Sequence, residues 1–391
     1  MSDYPQPDDE VPSVSPLELE RRIEADEPIR LLDVRNRSEI EQWRIEGNGV
    51  RRTEIPYSKF IEAEIADDVA SLAADLEGPV VVVCGQGEAS AYVADLLLEA
   101  GVEARNLAGG MDAWGRIYEA AELDHAGDVT VVQYHRPSSG CLGYLLVAGD
   151  DAAVVDPLAA FVDRYVADAA DRGATVRYAI DTHVHADHVS GVGRLTEATD
   201  AAPMLSERAV ARGVDIEVTA LADGETLALG ESEVTVVALP GHTTGMAGFA
   251  VEDVLLTGDS LFVESVARPD LEAGDEGAPD AARELHRTLT ERLTAFDDDT
   301  VVAPGHTSAA SERAPDGTYT ARLGTLRETL PAFRQDREAF VTAITDDIPP
   351  RPANFERIIA INLGHETVDD EEAFALEQGP NNCAATPADA D

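Results

Sequence analysis

The sequence is poor in positive charge. Lysine is almost absent, and 29 Lys and Arg residues stand against 76 Asp and Glu residues among 391, which gives a formal net charge of −47. A nucleic-acid binder needs basic patches, and none is visible along the chain, so we expect no nucleic-acid partner. The same imbalance disfavours binding to an anionic membrane surface. The acidic residues are scattered along the chain, as is typical of a protein that stays soluble and solvated at high salt.

Cysteine and long apolar runs are also scarce. The cysteines are Cys84, Cys141 and Cys383, and such a sparse, odd set argues against a disulfide framework and for a reducing compartment. Apolar runs stay below the length of a membrane-spanning helix, and the first residues do not resemble a signal peptide. We therefore expect a cytoplasmic protein of a salt-adapted organism. Its length and its 44% hydrophobic residues suffice for two domains with their own cores.

Three of the nine histidines lie within six residues of one another. The stretch contains, in order, His183, His185, Asp187 and His188. It follows the apolar residues 178–180, and we interpret it as a strand that ends in a loop before a helix. Imidazole nitrogen and carboxylate oxygen are the ligands that Zn, Fe and Mn sites use, so the stretch predicts a metal site.

Three later residues extend this candidate site. His242, Asp259 and His306 each follow a strand-like apolar run and stand directly after a glycine or a Thr-Gly pair. An α/β sheet collects such groups at the carboxyl ends of its strands. We therefore expect them to join the first stretch at one edge of a sheet.

The order His-x-His-x-Asp-His, Gly-His, Gly-Asp, Gly-His resembles the metallo-β-lactamase superfamily. The resemblance covers residues 128–365 and implies an αββα sandwich with the metal site at one edge. Within this region Cys141 follows a Gly-rich turn, and we expect it to be a small buried residue at the start of a strand.

A second motif surrounds Cys84. The apolar residues 80–83 predict a strand that runs into Cys84-Gly85-Gln86-Gly87, and a helix follows. Unpaired backbone N–H groups and the positive end of a helix dipole favour a thiolate at such a place and cradle an anion. Cys84 is therefore a candidate catalytic residue.

Residues 14–120 resemble a rhodanese domain, an α/β domain with a parallel sheet. The matching pieces are Leu32-Asp33-Val34-Arg35, Ile45-Glu46-Gly47, Cys84-x-x-Gly87-x-x-Ser90 and Leu107-x-Gly109-Gly110-x-x-Ala113-Trp114. In that family the Cys carries a persulfide sulfur held by loop amides. Most active loops hold an Arg where this chain has Ala89, and often a basic residue at the position of Gly85. The resemblance therefore favours persulfide acceptance over thiosulfate sulfurtransferase activity.

The remaining segments are polar and acidic. We expect residues 1–13 to be disordered, residues 121–127 to be a linker, and residues 366–391 to be an acidic tail for which disorder is again the expectation. A resolving or docking role of Cys383 in that tail is the alternative.

The stretch after Asp259 distinguishes members of the superfamily. It contains Arg268-Pro269-Asp270-Leu271, which is similar to persulfide dioxygenases, as are residues 352–362. Rhodanese domains occur fused to such enzymes, which strengthens the resemblance. It implies oxidation of a thiol persulfide to sulfite by Fe(II) and O₂.

The resemblance also implies residue roles. One Fe(II) per chain would be held by His183, His242 and Asp259, a two-His, one-carboxylate set with open positions. Four further residues would orient ligands and water, or would hold a second metal in two-metal relatives: His185, Asp187, His188 and His306. Asp187 is counted with Cys84 as catalytic, and Arg268 would pair with a substrate anion through its fork of donors.

Two positions depart from enzymes that act on glutathione persulfide. Those enzymes carry a Tyr where this chain has Ser308, and a Cys where it reads Asn362-Leu363-Gly364. We therefore expect another low-molecular-weight thiol persulfide, together with O₂, as substrate. The oligomeric state stays open.

Two other functions remain open at this stage. One is a glyoxalase-II-like thioester hydrolase with two Zn per chain, in which Asp259 bridges the metals and Asp187, His188 and His306 hold the second. The other is a sulfur carrier that passes a Cys84 persulfide to a partner protein, with a metallo domain that only positions the partner.

Overall fold

The computed structural model describes residues 11–76, 78–308, 310–346, 348–379 and 383. The chain divides into two compact units, the first mainly the residues up to Ile117 and the second mainly those from Tyr118 onward. Within the described ranges, none of the helices combines the length and the apolar character that crossing a bilayer requires.

The first unit is built on a parallel sheet. Its strands are β1 (Ser13–Val14), β2 (Ile29–Asp33), β3 (Val50–Glu54), β4 (Val80–Val83) and β5 (Ala104–Leu107). Its helices are α1 (Pro16–Glu24), α2 (Arg37–Gln42), α3 (Tyr57–Ile65), α4 (Val69–Leu72), α5 (Glu88–Glu99) and α6 (Gly110–Trp114). The strand order β1-β5-β4-β2-β3 puts β4 in the middle, so the loop that follows β4 lies at the centre of one sheet edge.

Both faces of this sheet are buried. Val80 and Val82 of β4 pack in one core cluster, whereas Val81 and Val83 pack in another. A strand buried on both faces needs apolar side chains at every position, which explains the uninterrupted valine run. The predicted rhodanese-like parallel-sheet domain is confirmed.

The second unit contains two sheets. The first has the strands β6 (Glu119–Glu122), β7 (Thr130–Arg136), β8 (Cys141–Ala148), β9 (Asp151–Val155), β10 (Thr175–Ile180), β11 (Ala202–Ser206) and β12 (Thr219–Leu221). The second has β13 (Thr226–Leu229), β14 (Ser232–Ala238), β15 (Ala247–Val251), β16 (Val254–Gly258), β17 (Val301–Pro304) and β18 (Ala321–Arg322). In both sheets the strands lie side by side in chain order.

The second unit also contains helices. They are α7 (Val162–Asp171), α8 (Val192–Thr199), α9 (Glu207–Val210), α10 (Asp270–Arg287), α11 (Leu323–Thr329), α12 (Arg337–Thr345), α13 (Phe355–Asn362) and α14 (Asp370–Leu376). Short 3₁₀ segments span Ala159–Phe161, Leu293–Ala295 and Pro331–Phe333, and a π turn spans Thr288–Arg292.

The alternation of side chains along the strands sets the layers. Val155 of β9 and Leu256 of β16 share the core cluster between the sheets. Their neighbours face outward: Val154 packs in the cluster that contains α7 and α8, and Leu255 in the cluster that contains α10 to α12. The order helix, sheet, sheet, helix confirms the predicted αββα sandwich.

The linker predicted for residues 121–127 is wrong at its start. Ala121 and Glu122 belong to β6, which pairs antiparallel with β7 through partners such as Ala121 and Gln133. Pairing with β7 satisfies backbone hydrogen-bonding groups of β6, while the outer side chains of this edge strand remain in water. Its composition is therefore polar, which is why it resembled a linker.

The disorder expected at the two ends is also wrong in part. Ser13 begins β1 and pairs with Asn106 of β5, whereas residues 1–10 lie outside the described residues. In the tail, the side chain of Asp369 accepts from the Glu372 N–H at 2.8 Å and caps α14, whose Phe374 is buried. Acidic residues in a first helical turn are favourable toward the helix dipole, so an acidic composition does not exclude a helix.

Candidate metal centre

The carboxyl ends of five strands in the second unit carry the candidate ligands. The residues are Asp156 after β9, His183 to His188 after β10, His242 after β14, Asp259 after β16 and His306 after β17. β9 and β10 are parallel, β16 and β17 are parallel, and β14 and β16 both run antiparallel to β15. Each set of ends therefore meets at one edge of its sheet, as the sequence predicted.

Two glycines allow these loops to approach one another closely. Gly258 has φ +49°, and a Cβ there would lie 2.7 Å from Thr182 Oγ1. A Cβ on Gly305 would lie 2.4 Å from Asp259 Oδ1. Larger residues would therefore push the loop of His183 or the carboxylate of Asp259 out of place.

His183, His242 and Asp259 form a compact ligand set. The Nε2 atoms of His183 and His242 lie 3.9 and 3.8 Å from Asp259 Oδ2. All three side chains are almost fully buried, and among the described residues His183 Nε2 and Asp259 Oδ2 have no hydrogen-bond partner. An unpaired buried polar atom costs about 1–3 kcal/mol, so the arrangement fits a metal ion between these atoms. These residues form a candidate metal-binding site.

Hydrogen bonds leave the Nε2 lone pairs of both histidines available. His242 Nδ1 lies 2.9 Å from the Arg268 carbonyl and donates to it. Thr182 Oγ1 donates to Asp156 Oδ2 at 3.0 Å, so it accepts from His183 Nδ1 at 2.9 Å. Burial lowers the pKa of His242, and lowers the pKa of His183 well below its usual value. Neutral imidazoles with an anchored Nδ1 are the form that binds metals.

Asp156 anchors the whole His183–His188 loop. Its Oδ1 accepts from the Thr182 N–H at 2.7 Å and from His185 Nε2 at 3.0 Å, and its backbone has φ +50°. Burial and the neighbouring His188 lower the pKa of His185, but Asp156 and Asp181 outweigh them and raise this pKa to about 9. Spacing along the sequence gives no signal for these partners of Asp156.

The remaining motif residues form a second buried cluster. His306 bridges two carboxylates, with Nδ1 2.6 Å from Asp259 Oδ1 and Nε2 3.0 Å from Asp187 Oδ2. Asp187 Oδ2 also lies 3.0 Å from His188 Nδ1 and accepts from Cys141 Sγ at 3.2 Å. Burial opposes protonation of His306, but Asp259 and Asp187 raise its pKa well above the usual value. A protonated His306 donates from both nitrogens and holds the two carboxylates together.

These four residues could also hold a metal. One ligand atom from each of Cys141, Asp187, His188 and His306 lies within 4.8 Å of the others. Cys141 is buried at the first position of β8, as expected from the sequence, but its contact with Asp187 was not foreseen.

Arg268 occupies a different role from the one expected. Its Nε and Nη2 donate to the two carboxylate oxygens of Asp270 at 2.7 and 3.0 Å, and its Nη1 donates to the Pro350 carbonyl at 3.0 Å. The side chain is 1% exposed, so its fork of donors faces a protein carboxylate and not an incoming anion. Arg268 contributes to the site through its backbone carbonyl, which accepts a hydrogen bond from His242 and orients that ring.

Cys383 is a site residue that the sequence did not place. It is 1% exposed, and its carbonyl accepts from the Arg268 N–H at 3.1 Å. Its thiol lies within 4.8 Å of a carboxylate oxygen of Asp259 and a ring nitrogen of His306. Sequence spacing gives no signal for this contact, because Cys383 follows an acidic segment far from the motifs.

The Cys84 loop of the first unit forms a small cradle. Cys84 Sγ accepts from the Gly87 N–H at 3.1 Å and lies 3.1 Å from Ser90 Oγ. Ser90 Oγ lies 2.7 Å from Asn106 Oδ1, and its single proton serves only one of these partners at a time. The loop follows the central strand β4 and precedes α5, as predicted.

Comparison with known proteins identifies both units. Residues 136–306 match the metallo-beta-lactamase superfamily, and residues 15–117 match the rhodanese-like domain. The chain belongs to the metallo-β-lactamase superfamily and carries an N-terminal rhodanese-like domain. A fold of this superfamily with buried His and Asp ligands supports a metalloenzyme.

Three of the similar proteins are named for two different activities. Persulfide dioxygenase ETHE1 of Homo sapiens is 28% identical over 237 residues, 59% of this chain and 86% of that protein. The crystal structure of ETHE1 from Myxococcus xanthus is 28% identical with a TM-score of 0.52, and the match covers 60% of this chain and 98% of that one. A hydroxyacylglutathione hydrolase of Methylococcus capsulatus is 31% identical over 269 residues, 66% of this chain and 95% of that protein.

Proposed function

We propose that the second unit is an Fe(II)-dependent persulfide dioxygenase. In this reaction a thiol persulfide, O₂ and water give the free thiol, sulfite and protons; the outer sulfur is oxidised and O₂ is reduced. A two-His, one-carboxylate set is the pattern of non-haem Fe(II) oxygenases, and bound iron would supply the redox chemistry that O₂ requires. The ligands would be His183, His242 and Asp259.

The orientation of His185 is the observation that carries the proposal. A two-metal site would recruit His185 beside His183, but its Nε2 is bonded to Asp156 at 3.0 Å. His306 Nε2 and His188 Nδ1 likewise lie 3.0 Å from Asp187 Oδ2, although His188 Nε2 has no hydrogen-bond partner among the described residues. These contacts favour one metal held by three residues, with the second cluster orienting Asp259 through His306.

The rhodanese-like unit would handle sulfane sulfur through Cys84. The Gly87 N–H at 3.1 Å from Sγ suits a thiolate or a persulfide. Gly85 and Ala89 stand where active thiosulfate sulfurtransferases carry basic residues, so we propose persulfide acceptance and not thiosulfate turnover. The donor would be a low-molecular-weight thiol persulfide other than glutathione persulfide.

A two-metal thioester hydrolase is the second candidate. It is favoured by the 31% identical hydroxyacylglutathione hydrolase and by the four ligand atoms of the Cys141 cluster within 4.8 Å. Asp259 would bridge two Zn ions, and activity would not need O₂.

Metal content and thioester turnover separate the two candidates. Anaerobically purified protein is analysed for Fe and Zn and assayed with a thioester under argon, beside the variants H188A and D259N. The dioxygenase proposal expects one Fe per chain, kept in H188A and lost in D259N, and no thioester turnover. Two Zn per chain with thioester hydrolysis, and loss of one Zn in H188A, would establish the hydrolase instead.

A further inference from the structure

We propose that Cys383 carries the sulfane sulfur to the metal set, as a persulfide formed on its own thiol. The proposal rests on the proposed dioxygenase function and deepens it, because it makes the immediate substrate a protein persulfide. The low-molecular-weight persulfide, or Cys84, then becomes the donor that loads Cys383.

The position of Cys383 is fixed by contacts with ligand-bearing segments. Its carbonyl accepts from the Arg268 N–H at 3.1 Å, and the carbonyl of Arg268 in turn holds His242. Its side chain packs with Ala186, which lies in the His183–His188 loop, and with Leu271. The thiol is therefore held against the same loops that carry the metal ligands.

The distances suit a sulfur one bond longer than a thiol. Cys383 Sγ groups within 4.8 Å with Asp259 and His306, whereas the His183–His242–Asp259 group does not include it. A thiolate ligand would lie about 2.3 Å from the metal and hence close to all three ligands. An added sulfur, at an S–S bond of about 2.05 Å, would lengthen the side chain by one bond from its place beside Asp259 and His306.

Two unpartnered atoms mark the candidate metal position to which that sulfur would be delivered. His183 Nε2 and Asp259 Oδ2 are buried without a hydrogen-bond partner among the described residues. Cys383 Sγ lies within 4.8 Å of a carboxylate oxygen of Asp259, one of these two residues. The thiol is thus beside the candidate ligand set, and not an isolated buried cysteine.

At two of the described positions, the side chain does not provide the binding group expected for a small-molecule persulfide. The guanidinium of Arg268 is bound by Asp270, and Ser308 stands where glutathione-persulfide enzymes carry Tyr. A persulfide carried on the chain itself does not need such binding groups, because tethering gives its sulfur a high effective concentration at the metal set.

The chemistry balances in two steps. First, the Cys383 sulfur attacks the outer sulfur of the donor persulfide; an Sγ–S bond forms, the donor S–S bond breaks, and the thiol proton of Cys383 passes to the departing donor thiolate. Second, the Cys383 persulfide, O₂ and water give sulfite and protons and regenerate the thiol. The first step is sulfur exchange without net oxidation, and O₂ is the oxidant of the second.

The first part of the test needs no metal. Full-length, metal-free protein is treated with inorganic polysulfide, the excess is removed, and the cysteines are alkylated and mapped by peptide mass spectrometry. We expect one added sulfur on Cys383 in wild type and in C141S, which keeps the tail thiol and removes the neighbouring one. Persistence of this label in C84S would show loading directly from the small donor, and its loss would show transfer through Cys84.

The second part follows the carried sulfur. Loaded protein is given Fe(II) and O₂, and sulfite is measured for wild type, C383S and C383A, each checked for an unchanged melting temperature. We expect sulfite in proportion to the sulfur on Cys383, and about 10²-fold less from either variant at low persulfide concentration, because the tethered route is lost.

Three results would overturn the inference. An unlabelled Cys383, with equal sulfite from free persulfide in wild type and C383S, leaves the dioxygenase standing without a tail carrier. Faster turnover in C383S would make the tail an obstruction. No sulfite from any persulfide in wild type would remove the dioxygenase function and the inference with it, even if Cys383 is labelled.

Discussion

Individual side chains decide which atoms of the centre are available to a metal. His183 and His242 both use Nδ1 in hydrogen bonds, to Thr182 Oγ1 and to the Arg268 carbonyl at 2.9 Å each, so Nε2 points toward Asp259. Such partners fix the tautomer and ring orientation of a ligand before the metal arrives. The partners therefore affect metal affinity without touching the metal.

Replacing Asp156 with Asn tests this dependence. An amide NH₂ in place of Oδ2 cannot accept from Thr182 Oγ1, as the carboxylate does at 3.0 Å, so Thr182 Oγ1 loses the bond that makes it an acceptor for His183 Nδ1. We expect metal affinity to fall about 10–100-fold, measured by competition with a chelator. D163N, at an exposed position of α7, is the matched control and should bind metal like wild type. Equal affinity in D156N would disprove the anchoring role.

Gly305 provides a steric test of the Asp259 position. A Cβ there would lie 2.4 Å from Asp259 Oδ1, so G305A should cost about 1–3 kcal/mol in the free energy of unfolding and weaken metal binding. A Cβ on Gly193, in α8, would meet no atom of another described segment within 4 Å, so G193A should be neutral or stabilising by up to about 1 kcal/mol. Urea unfolding and metal titration of both variants measure the difference. Normal metal binding by G305A would contradict the close approach.

Strands and helices explain how much of this centre the sequence could predict. An apolar run followed by His or Asp indicates the end of a strand, and parallel neighbouring strands bring such ends together. His183, His242 and Asp259 were expected at one sheet edge on that basis, and they are adjacent in the structure. Spacing along a chain does not specify rotamers or hydrogen-bond partners. The turn of His185 toward Asp156 was missed for that reason.

Ion pairs and tertiary contacts account for the other differences. Arg268 was expected to face a substrate anion, but Asp270, two residues away, accepts hydrogen bonds from its Nε and Nη2. The helix α14 and the buried Cys383 depend on contacts between distant segments, which a local acidic composition conceals. The sequence predicts the position of a residue on a strand or helix. It does not predict a contact with a residue that is distant along the chain.

The start of α10 gives a prediction at this scale. Asp270 is 2% exposed and pairs with Arg268 and Arg351. D270N would leave the Arg268 charge buried and uncompensated, so we expect a loss of about 3–5 kcal/mol in the free energy of unfolding at neutral pH, measured in urea. D280N, at an exposed position of the same helix, should change this free energy by less than about 0.5 kcal/mol.

The same pair predicts how the loss depends on pH. Burial favours the neutral acid, but Arg268 and Arg351 lower the pKa of Asp270 below its usual value. A depressed native pKa means that the stabilisation is complete above the unfolded carboxyl pKa of about 3.9 and disappears as pH falls through the native value. Wild type and D270N should therefore converge only in acid. A difference that stays constant down to the acid transition would contradict the ion-pair account.

At the scale of the whole molecule, the net charge of −47 opposes compactness. Like charges repel across the surface, and salt screens this repulsion over about 10 Å at 0.1 M and about 3 Å at 1 M. We predict that the melting temperature rises steeply with KCl. Sulfate and chloride salts at equal, low ionic strength should give equal rises if screening is the cause. A melting temperature independent of ionic strength would contradict this account.

The central claim is that this chain consumes O₂ to oxidise a persulfide. The most direct measurement follows O₂ uptake and sulfite formation in one sample of Fe(II)-loaded, full-length protein after addition of a thiol persulfide, with D259N beside it. We predict O₂ and sulfite in equal amounts for wild type and neither for D259N. Absence of O₂ uptake with any persulfide, despite a full complement of iron, would contradict the claim.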